Sequence, residues 1–484
     1  MVPVERSPHH LRPDSSRLIL KPFLPGTTTF AGGGDRLDHL VGRAMELPDQ
    51  TARRILDDLH SRHSGQFPDL EDTWIRHFHI AAAGSGILTD VTDRVRQLVI
   101  GALVTQAYAY EAAALTNPSM VPVDDPVNGT QRVIMSTRAI GEGHVSSIAF
   151  VSGSIGDDGQ VFLDTRHPSV SNGRRTTPTY SRTAFTAKLA ELGFLTPAAR
   201  AILDLVSDAF TAEELAGALD RAVDSDFDPL SVEDAVKRMH WVAESNYALV
   251  FDGSLPVSEH VISPAAPVES RGIEDARFVR FTDDDGSRRY YATYTAYDGV
   301  RILPQLIETA DFSQFRMSTM TGPATHHKGM ALFPRKIRGE YVALSRHDHE
   351  RSFVLRSDNV RHWSNAEVVF GPETEWDIVQ TGNCGSPIET EAGWLVITHG
   401  VGPMRRYVLG AILLDIDEPA KILARLPEPL VEPQEDERFG YVPDVVYSCG
   451  SVVHAGNLIM PFGYSDVGIK IAVTPVADVL RAMS

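Results

Sequence analysis

Apolar and polar positions fall into three textures along this chain. From about residue 38 to 62 and from 66 to 115, apolar residues recur at three- and four-residue spacing, as at Leu56 and Leu59 and at Trp74 and Phe78, with few glycines before Gly84. That period predicts helices. Leu98, Val99, Gly101, Ala102, Leu103, Ala107 and Ala112 to Ala114 read as a more fully apolar continuation. Ahead of them, Arg17 to Gly26 reads as a short extended piece closed by proline and glycine. From Asn117 onward the texture becomes short strands between glycine-rich and acidic turns. Arg132 to Arg138 and Ser146 to Val151 flank the turn Gly141-Glu142-Gly143-His144, and Asp157-Asp158-Gly159 predicts a hairpin. Helical spacing returns at Ala184 to Leu192, Pro197 to Phe210, Ala212 to Val223 and Val232 to Val242, each preceded by a Thr, Ser or Asp suited to capping. We read residues 182 to 245 as a helical insertion.

Beyond Tyr247 strands dominate and a repeat emerges. Four segments share one plan of apolar strand, polar turn around a glycine, apolar strand and polar residue: Phe278 to Tyr294 around Gly286, Ala331 to Arg346 around Gly339, Ile388 to His399 around Gly393, and Val452 to Tyr464 around Gly456. Their glycines lie about 53, 54 and 63 residues apart, which suits four-stranded propeller blades. Gly159 lies about 127 residues before Gly286, and removing an insertion of roughly 65 to 75 residues leaves one more period. The expectation is a mainly β chain: a five-bladed β-propeller over 116–484, interrupted by the insertion, with an extended segment and helical region over 1–115. A β-sandwich with irregular loops is the structural alternative.

Composition narrows the partners. With 45 basic against 64 acidic residues, a formal charge of −19 and 43% hydrophobic residues, the chain reads as a soluble globular protein without the basic footprint of a nucleic-acid or anionic-membrane binder. The N-terminus lacks the apolar core of a signal peptide, and no run of about eighteen apolar residues suggests a membrane span. Cys384 and Cys449 alone make neither a disulfide framework nor a metal cluster, so a cytoplasmic protein without metal or organic cofactor is expected. His60, His63, His77 and His79 lack surrounding carboxylate or cysteine ligands and read as packing, capping and surface residues.

The candidate chemistry centres on Gly272-Ile273-Glu274-Asp275-Ala276-Arg277, followed by Tyr294-Thr295-Ala296-Tyr297-Asp298-Gly299. In an extended strand Glu274 and Asp275 point to opposite sides, so one faces a substrate while the other braces Arg277 or a neighbouring strand. Asp275 is the candidate acid. The polar residues that close the repeats are Asp298, Arg346, His399, Tyr464 and Asp466, and in a propeller such equivalent positions converge on one funnel. Two carboxylates, an arginine, a histidine and a tyrosine around an acid suit a carbohydrate, with Trp363, Trp376 and Trp394 as possible apolar faces. Arg346, His399 and Lys328 suit a phosphate equally well, since a dianion needs several cationic donors.

These residues resemble glycoside hydrolase family 130, the β-mannoside phosphorylases and β-1,2-mannosidases. The Gly272 to Arg277 segment is similar to the family's Gly-x-Glu-Asp-Pro-Arg, with Ala276 in place of proline. Tyr294 to Gly299, Leu332-Phe333-Pro334 with Lys336 and Gly339, His399-Gly400-Val401, Tyr407 to Gly410, and Val442 to Val446 through Cys449-Gly450 match as well. Pro22 to Gly26, the helical N-terminal region and Gly141 to His144 resemble an extended branch of the family. The resemblance implies a five-bladed propeller and an inverting mechanism in which Asp275 is the general acid, its proton passing through the mannosyl 3-hydroxyl. It implies that Asn117, Arg138, Asp298 and Asp466 contact the sugar; Glu274, Arg277 and Tyr464 complete the substrate-side candidates. For the anion site it implies Arg346, His399 and Tyr407, with Lys328 as a further cation, but Gln380 stands where a lysine is expected nineteen residues before the histidine. A missing cation weakens phosphate binding by about tenfold or more. The sequence therefore favours an exo-acting, inverting hydrolase of β-1,2-linked manno-oligosaccharides, with Asp444 as candidate base and Glu350 behind it. The alternatives are a phosphorylase using inorganic phosphate and releasing α-mannose 1-phosphate, and a non-catalytic sugar-binding propeller. A homo-oligomer is expected, with light scattering on a form lacking residues 1 to about 110 as its test.

Overall fold

The computed structural model describes residues 2–24, 36–67, 69–83, 91–223, 227–325 and 327–483. Pro25, Gly26 and Gly84, used above as punctuation, lie outside them. The chain divides into two compact units, one of residues 15–110 with 167–171 and one of 1–14, 111–166 and 172–484.

The smaller unit packs four helices, Arg36–Met45, Asp49–His63, Leu70–Ala83 and Arg94–Leu103, beside a two-stranded ribbon of Leu18–Pro22 and Thr105–Ala109. Val41, Leu56, Trp74, Phe78, Val99 and Ile100 are buried in its core. Buried Arg96 donates to the carbonyls of Ala44 and Leu47 at 3.1 and 2.7 Å, tying the first helix to the last. Helix was expected through residue 115, yet it ends at Leu103 and Ala107 lies in a strand. The strand has a partner some 85 residues upstream in Leu18–Pro22, which local periodicity cannot register.

In the larger unit the described residues form five antiparallel sheets of four or more strands. The first is built on Ala114–Pro122, Gln131–Ile140 and Ser146–Ile155; the second on Gly272–Thr282, Arg288–Tyr297, Ile302–Thr309 and Gln314–Thr319. The third runs Ala331–Leu332, Tyr341–Ser345, Ser352–Ser357 and Ala366–Phe370. The fourth runs Gln380–Asn383, Gly393–Val401, Tyr407–Leu414 and Ile422–Arg425. The fifth takes Val446–Tyr447, Asn457–Tyr464 and Gly468–Pro475, then Glu5–Leu11 as its outer strand. The boundary drawn at residue 115 is thus corrected at the N-terminus. Residues 5–11 belong with the last sheet, whose edge they cover by pairing with Gly468–Pro475.

Each sheet packs on the next, and Asn457–Tyr464 of the fifth packs back on Ala114–Pro122 of the first. The repeating hairpins follow the glycines. Gly159, Gly286, Gly339 and Gly456 take φ of 81°, 79°, 83° and 78°, a left-handed turn geometry in which a side chain is strained.

The insertion holds Arg182–Glu191, Pro197–Leu203, Ala212–Val223 and Pro229–Glu244, with Ser181, Thr196 and Asp228 capping three of them through their side chains. The helix expected through Phe210 stops at Leu203, because Ala209–Phe210 pairs with Tyr180–Ser181. Among the described residues no helix is long and apolar enough to cross a membrane.

One buried carboxylate secures the approach to the second sheet's first strand. Glu269, fully buried, accepts from the hydroxyls of Tyr247 at 3.0 Å and Tyr294 at 2.6 Å and from the amides of Ala265 and Ala266 at 2.9 and 3.1 Å. Burial pushes its carboxyl up, and those four donors pull it part-way back. Glu269→Ala would leave two hydroxyls and two amides without this acceptor. A loss of about 3 to 5 kcal/mol is expected in denaturant unfolding, against a smaller loss for Glu269→Gln.

Candidate active site

The first strands of four of the five sheets contribute residues to the site. In Gly272–Thr282 the register against Arg288–Tyr297 slips between Glu274 and Arg277, and Asp275 sits on the bulge with φ of 55°. Ala114–Pro122 has the same irregularity between Thr116 and Ser119, with Asn117 at φ 48°. Asp and Asn tolerate this left-handed region better than most residues, and bulges re-aim side chains. The two bulges meet: the Asn117 side-chain amide donates to Asp275 Oδ1. Thr116 Oγ1 donates to Asn117 Oδ1 at 2.9 Å, which fixes the amide with its NH2 toward the acid.

The bulge also alters the expected alternation. Glu274 accepts from Arg138 at 2.8 Å and from Lys328 at 2.6 Å, and the same two cations act on Asp275. Neighbouring acids thus share one set of bases. Arg277, completely buried, donates to the carbonyl of Cys384 at 2.8 Å, to the backbone carbonyl of Asp275 at 2.9 Å and to the Tyr447 hydroxyl at 2.9 Å, and its guanidinium lies 3.8 Å from the Asp275 carboxylate. Burial alone would raise the Asp275 carboxyl. Arg277, Arg138, Lys328 and the Asn117 amide together outweigh it and hold the group below the usual aspartate range.

A second cluster adjoins the first through Tyr447. His399 is fully buried, with its ring parallel to that of Tyr407 at 6.3 Å and edge-on to Tyr447 at 5.0 Å. Arg346 Nη1 lies 3.3 Å from His399 Nε2, and the Gln380 amide nitrogen lies 3.5 Å from the same atom. Burial first, then Arg346 and Arg277, push the imidazole well below its ordinary value, so His399 is neutral. This corrects its expected place among the cations. Nε2 is then the lone-pair nitrogen that accepts from Arg346. The Nε–H of Arg346 is buried with no protein acceptor, and Arg346 has no carboxylate partner among the described residues.

Gly382 makes the fit of this pair close. A Cβ there would stand 2.4 Å from Arg346 Cδ and 2.7 Å from His399 Cε1. Gly382→Ala is expected to displace both side chains and to lower activity by about tenfold or more, with a smaller effect on thermal stability. Kinetics beside a melting curve checks this.

The other expected residues take varied positions. Asp466, at φ 52°, is half-buried, with its carboxylate 3.4 Å from Thr116 Oγ1. Burial raises its carboxyl, as does Asp275, while Arg138, Thr116 and His144 oppose the rise. Asp466 therefore joins the Asp275 cluster. Asp298 Oδ1 accepts from the backbone amides of Val300 and Arg301 at 2.8 and 2.6 Å, capping its own turn. Asp444 is in a two-point ion pair with Arg438 at 2.9 and 3.2 Å. The Tyr464 hydroxyl is engaged by His10 on the N-terminal strand. The Tyr407 hydroxyl accepts from Arg405 at 2.9 Å. Trp363 and Trp394, expected as apolar faces, are instead fully buried core residues, and the Trp376 indole donates to the carbonyl of Pro427 at 3.2 Å.

A 1,2-beta-oligomannan phosphorylase of Thermoanaerobacter sp. is 32% identical over 248 residues, 49% of this chain and 81% of the relative. The chain belongs to glycoside hydrolase family 130. The family profile, described as beta-1,4-mannooligosaccharide phosphorylase, matches residues 254–484. A beta-1,2-mannobiose phosphorylase of Listeria innocua is 30% identical over 227 residues, 46% of this chain and 62% of the relative. The solved structure of Listeria innocua beta-1,2-mannobiose phosphorylase with beta-1,2-mannobiose aligns over 77% of this chain and 92% of its own, at 20% identity and a TM-score of 0.45.

In this family 130 enzyme the profile begins after Asn117 and Arg138, so the structure alone joins those two residues to the matched segment. Reasoning from residues that close each hairpin missed Tyr447 and Thr116. Tyr447 lies on the first strand of its sheet, the position that Asp275 and Gln380 occupy on theirs, and that equivalence was the available signal.

Proposed function

We propose that this chain is an inverting β-mannoside phosphorylase that acts on β-1,2-linked manno-oligosaccharides and releases α-mannose 1-phosphate. The observation that carries the reading is Arg346: a half-buried guanidinium, faced by a neutral imidazole, with a buried Nε–H that no protein group accepts. Such a cation suits an incoming anion. Hydrolysis, favoured above on the strength of Gln380, loses support because Asp444 is committed to Arg438 and the relatives above bear the names of phosphorylases. The five sheets serve as propeller blades whose first strands line the site.

On this reading Arg346 and Lys328 hold inorganic phosphate, His399 accepts from Arg346 and so orients its guanidinium, and Gln380 and Tyr407 stand at the edge of the anion site. Lys328 exchanges part of its pairing with Glu274 for the phosphate. Asn117, Arg138 and Asp466 hold the mannosyl unit against Asp275. A phosphate oxygen attacks the anomeric carbon on the face opposite the leaving sugar, and the bond to the glycosidic oxygen breaks. Asp275 gives its proton to the mannosyl 3-hydroxyl, whose own proton passes to that oxygen.

Incubation with β-1,2-mannobiose, with and without phosphate, tests the reading. The expected result is α-mannose 1-phosphate and mannose in equal amounts, only when phosphate is present. Mannose release in phosphate-free buffer would overturn it in favour of hydrolysis.

A further inference from the structure

Two exposed rings from different sheets stack beside the acid cluster. His144 comes from the turn joining Gln131–Ile140 to Ser146–Ile155, and Tyr441 from the segment that precedes Val446–Tyr447. Their centroids lie 4.9 Å apart with an interplanar angle of 29°. The stack adds little to the core, since Tyr441 is 69% exposed and its neighbour Phe439 is 76% exposed. An exposed aromatic pair of this kind suits a ligand that has both an apolar face and polar groups.

Both rings are held in place by their backbones. His144 adopts φ of 58°, and its amide donates to the Gly141 carbonyl at 3.2 Å. Tyr441 follows Gly440, where a Cβ would stand 2.2 Å from the Ser465 carbonyl oxygen, and Val442 donates to that oxygen at 3.2 Å. The segment is thereby laid directly on Ser465, the residue before Asp466. Asp466 in turn interacts with His144, Arg138 and Asp275. The stack thus borders the carboxylate that adjoins the acid.

We propose that the His144–Tyr441 stack receives the second sugar, the unit that leaves with the glycosidic oxygen in phosphorolysis and attacks as acceptor in the reverse reaction. This rests on the phosphorylase reading above. A pyranose ring offers an apolar C–H face to an aromatic wall, and the Tyr441 and His144 rings supply one. The mannosyl and phosphate groups are held by other residues, so the stack decides acceptor binding and leaves donor binding alone.

The test runs the reaction in reverse, with α-mannose 1-phosphate as donor and mannose as acceptor. Tyr441→Ala and His144→Ala are each expected to raise the acceptor KM by about tenfold, with donor KM and melting temperature within error of the parent and Tyr441→Phe close to it. An unchanged acceptor KM, or donor and acceptor KM rising together, would overturn the proposal. Should the parent transfer no mannose from α-mannose 1-phosphate, the phosphorylase reading fails separately. Calorimetric binding to Asp275→Asn protein then decides the stack. Adding Tyr441→Ala should weaken β-1,2-mannobiose by about tenfold and spare mannose, whereas equal or no loss rejects it.

Discussion

Asp275→Asn is expected to lower kcat for phosphorolysis of β-1,2-mannobiose by about a thousandfold while the protein still binds the disaccharide. The substitution suits this position. Asn is isosteric with Asp and tolerates the φ of 55° at the bulge, so the strand has no reason to move. What disappears is the transferable proton. In the free protein Arg277, Arg138, Lys328 and Asn117 overcome burial and keep Asp275 ionised, so the acid must gain its proton as the substrates arrive. On the phosphorylase reading, phosphate held by Lys328 and Arg346 would offset part of that positive field, and burial, which opposes the charge, would then prevail. The alkaline fall in kcat is accordingly expected at higher pH than that in kcat/KM, because the first reports the loaded enzyme and the second the free one. Stability responds in the other direction. A depressed carboxyl contributes stability that is present above its unfolded value and is lost as pH falls through its folded value. A loss of kcat below about tenfold in Asp275→Asn would remove Asp275 from the chemistry.

Arg346→Ala should raise the phosphate KM by about ten- to a hundredfold, the equivalent of about 1.5 to 3 kcal/mol for a charge-assisted contact. The mannobiose KM should hold, since no contact of Arg346 reaches Asn117, Arg138 or Asp466 among the described residues. Arg346→Lys should recover only part of the loss. A lysine restores charge but not the planar fork that can donate to His399 and phosphate together. Initial rates at varied phosphate and fixed mannobiose check both variants. Equal rises in the two KM values would show that Arg346 organises the whole pocket.

Much of this site was legible in the chain because its parts are local. The Gly272 to Arg277 segment announced an acid beside a base, and the recurring glycines announced hairpins that the sheets then adopt at Gly159, Gly286, Gly339 and Gly456. Capping residues Ser181, Thr196 and Asp228 placed helix starts within a few residues. The errors arose where a distant partner overrode the local period. Thr105–Ala109 became a strand by pairing with Leu18–Pro22, Ala209–Phe210 by pairing with Tyr180–Ser181, and Glu5–Leu11 joined a sheet at the other end of the sequence. Local pattern carries no record of such partners.

From the chain alone come the candidate acid, the repeating hairpins and the set of polar residues from which the candidate site is drawn. Composition, turn chemistry and adjacent motif residues are properties of neighbouring positions. Only the tertiary structure decided which of those residues act together. It set Asn117 against Asp275 through two bulges, gave Glu274 to Arg138 and Lys328, committed Asp444 to Arg438 and Tyr464 to His10, and placed Tyr447 between Arg277 and His399. It also made His399 neutral, because an imidazole's charge depends on burial and on Arg346 and Arg277, which are remote in the chain and adjacent only once the sheets have packed.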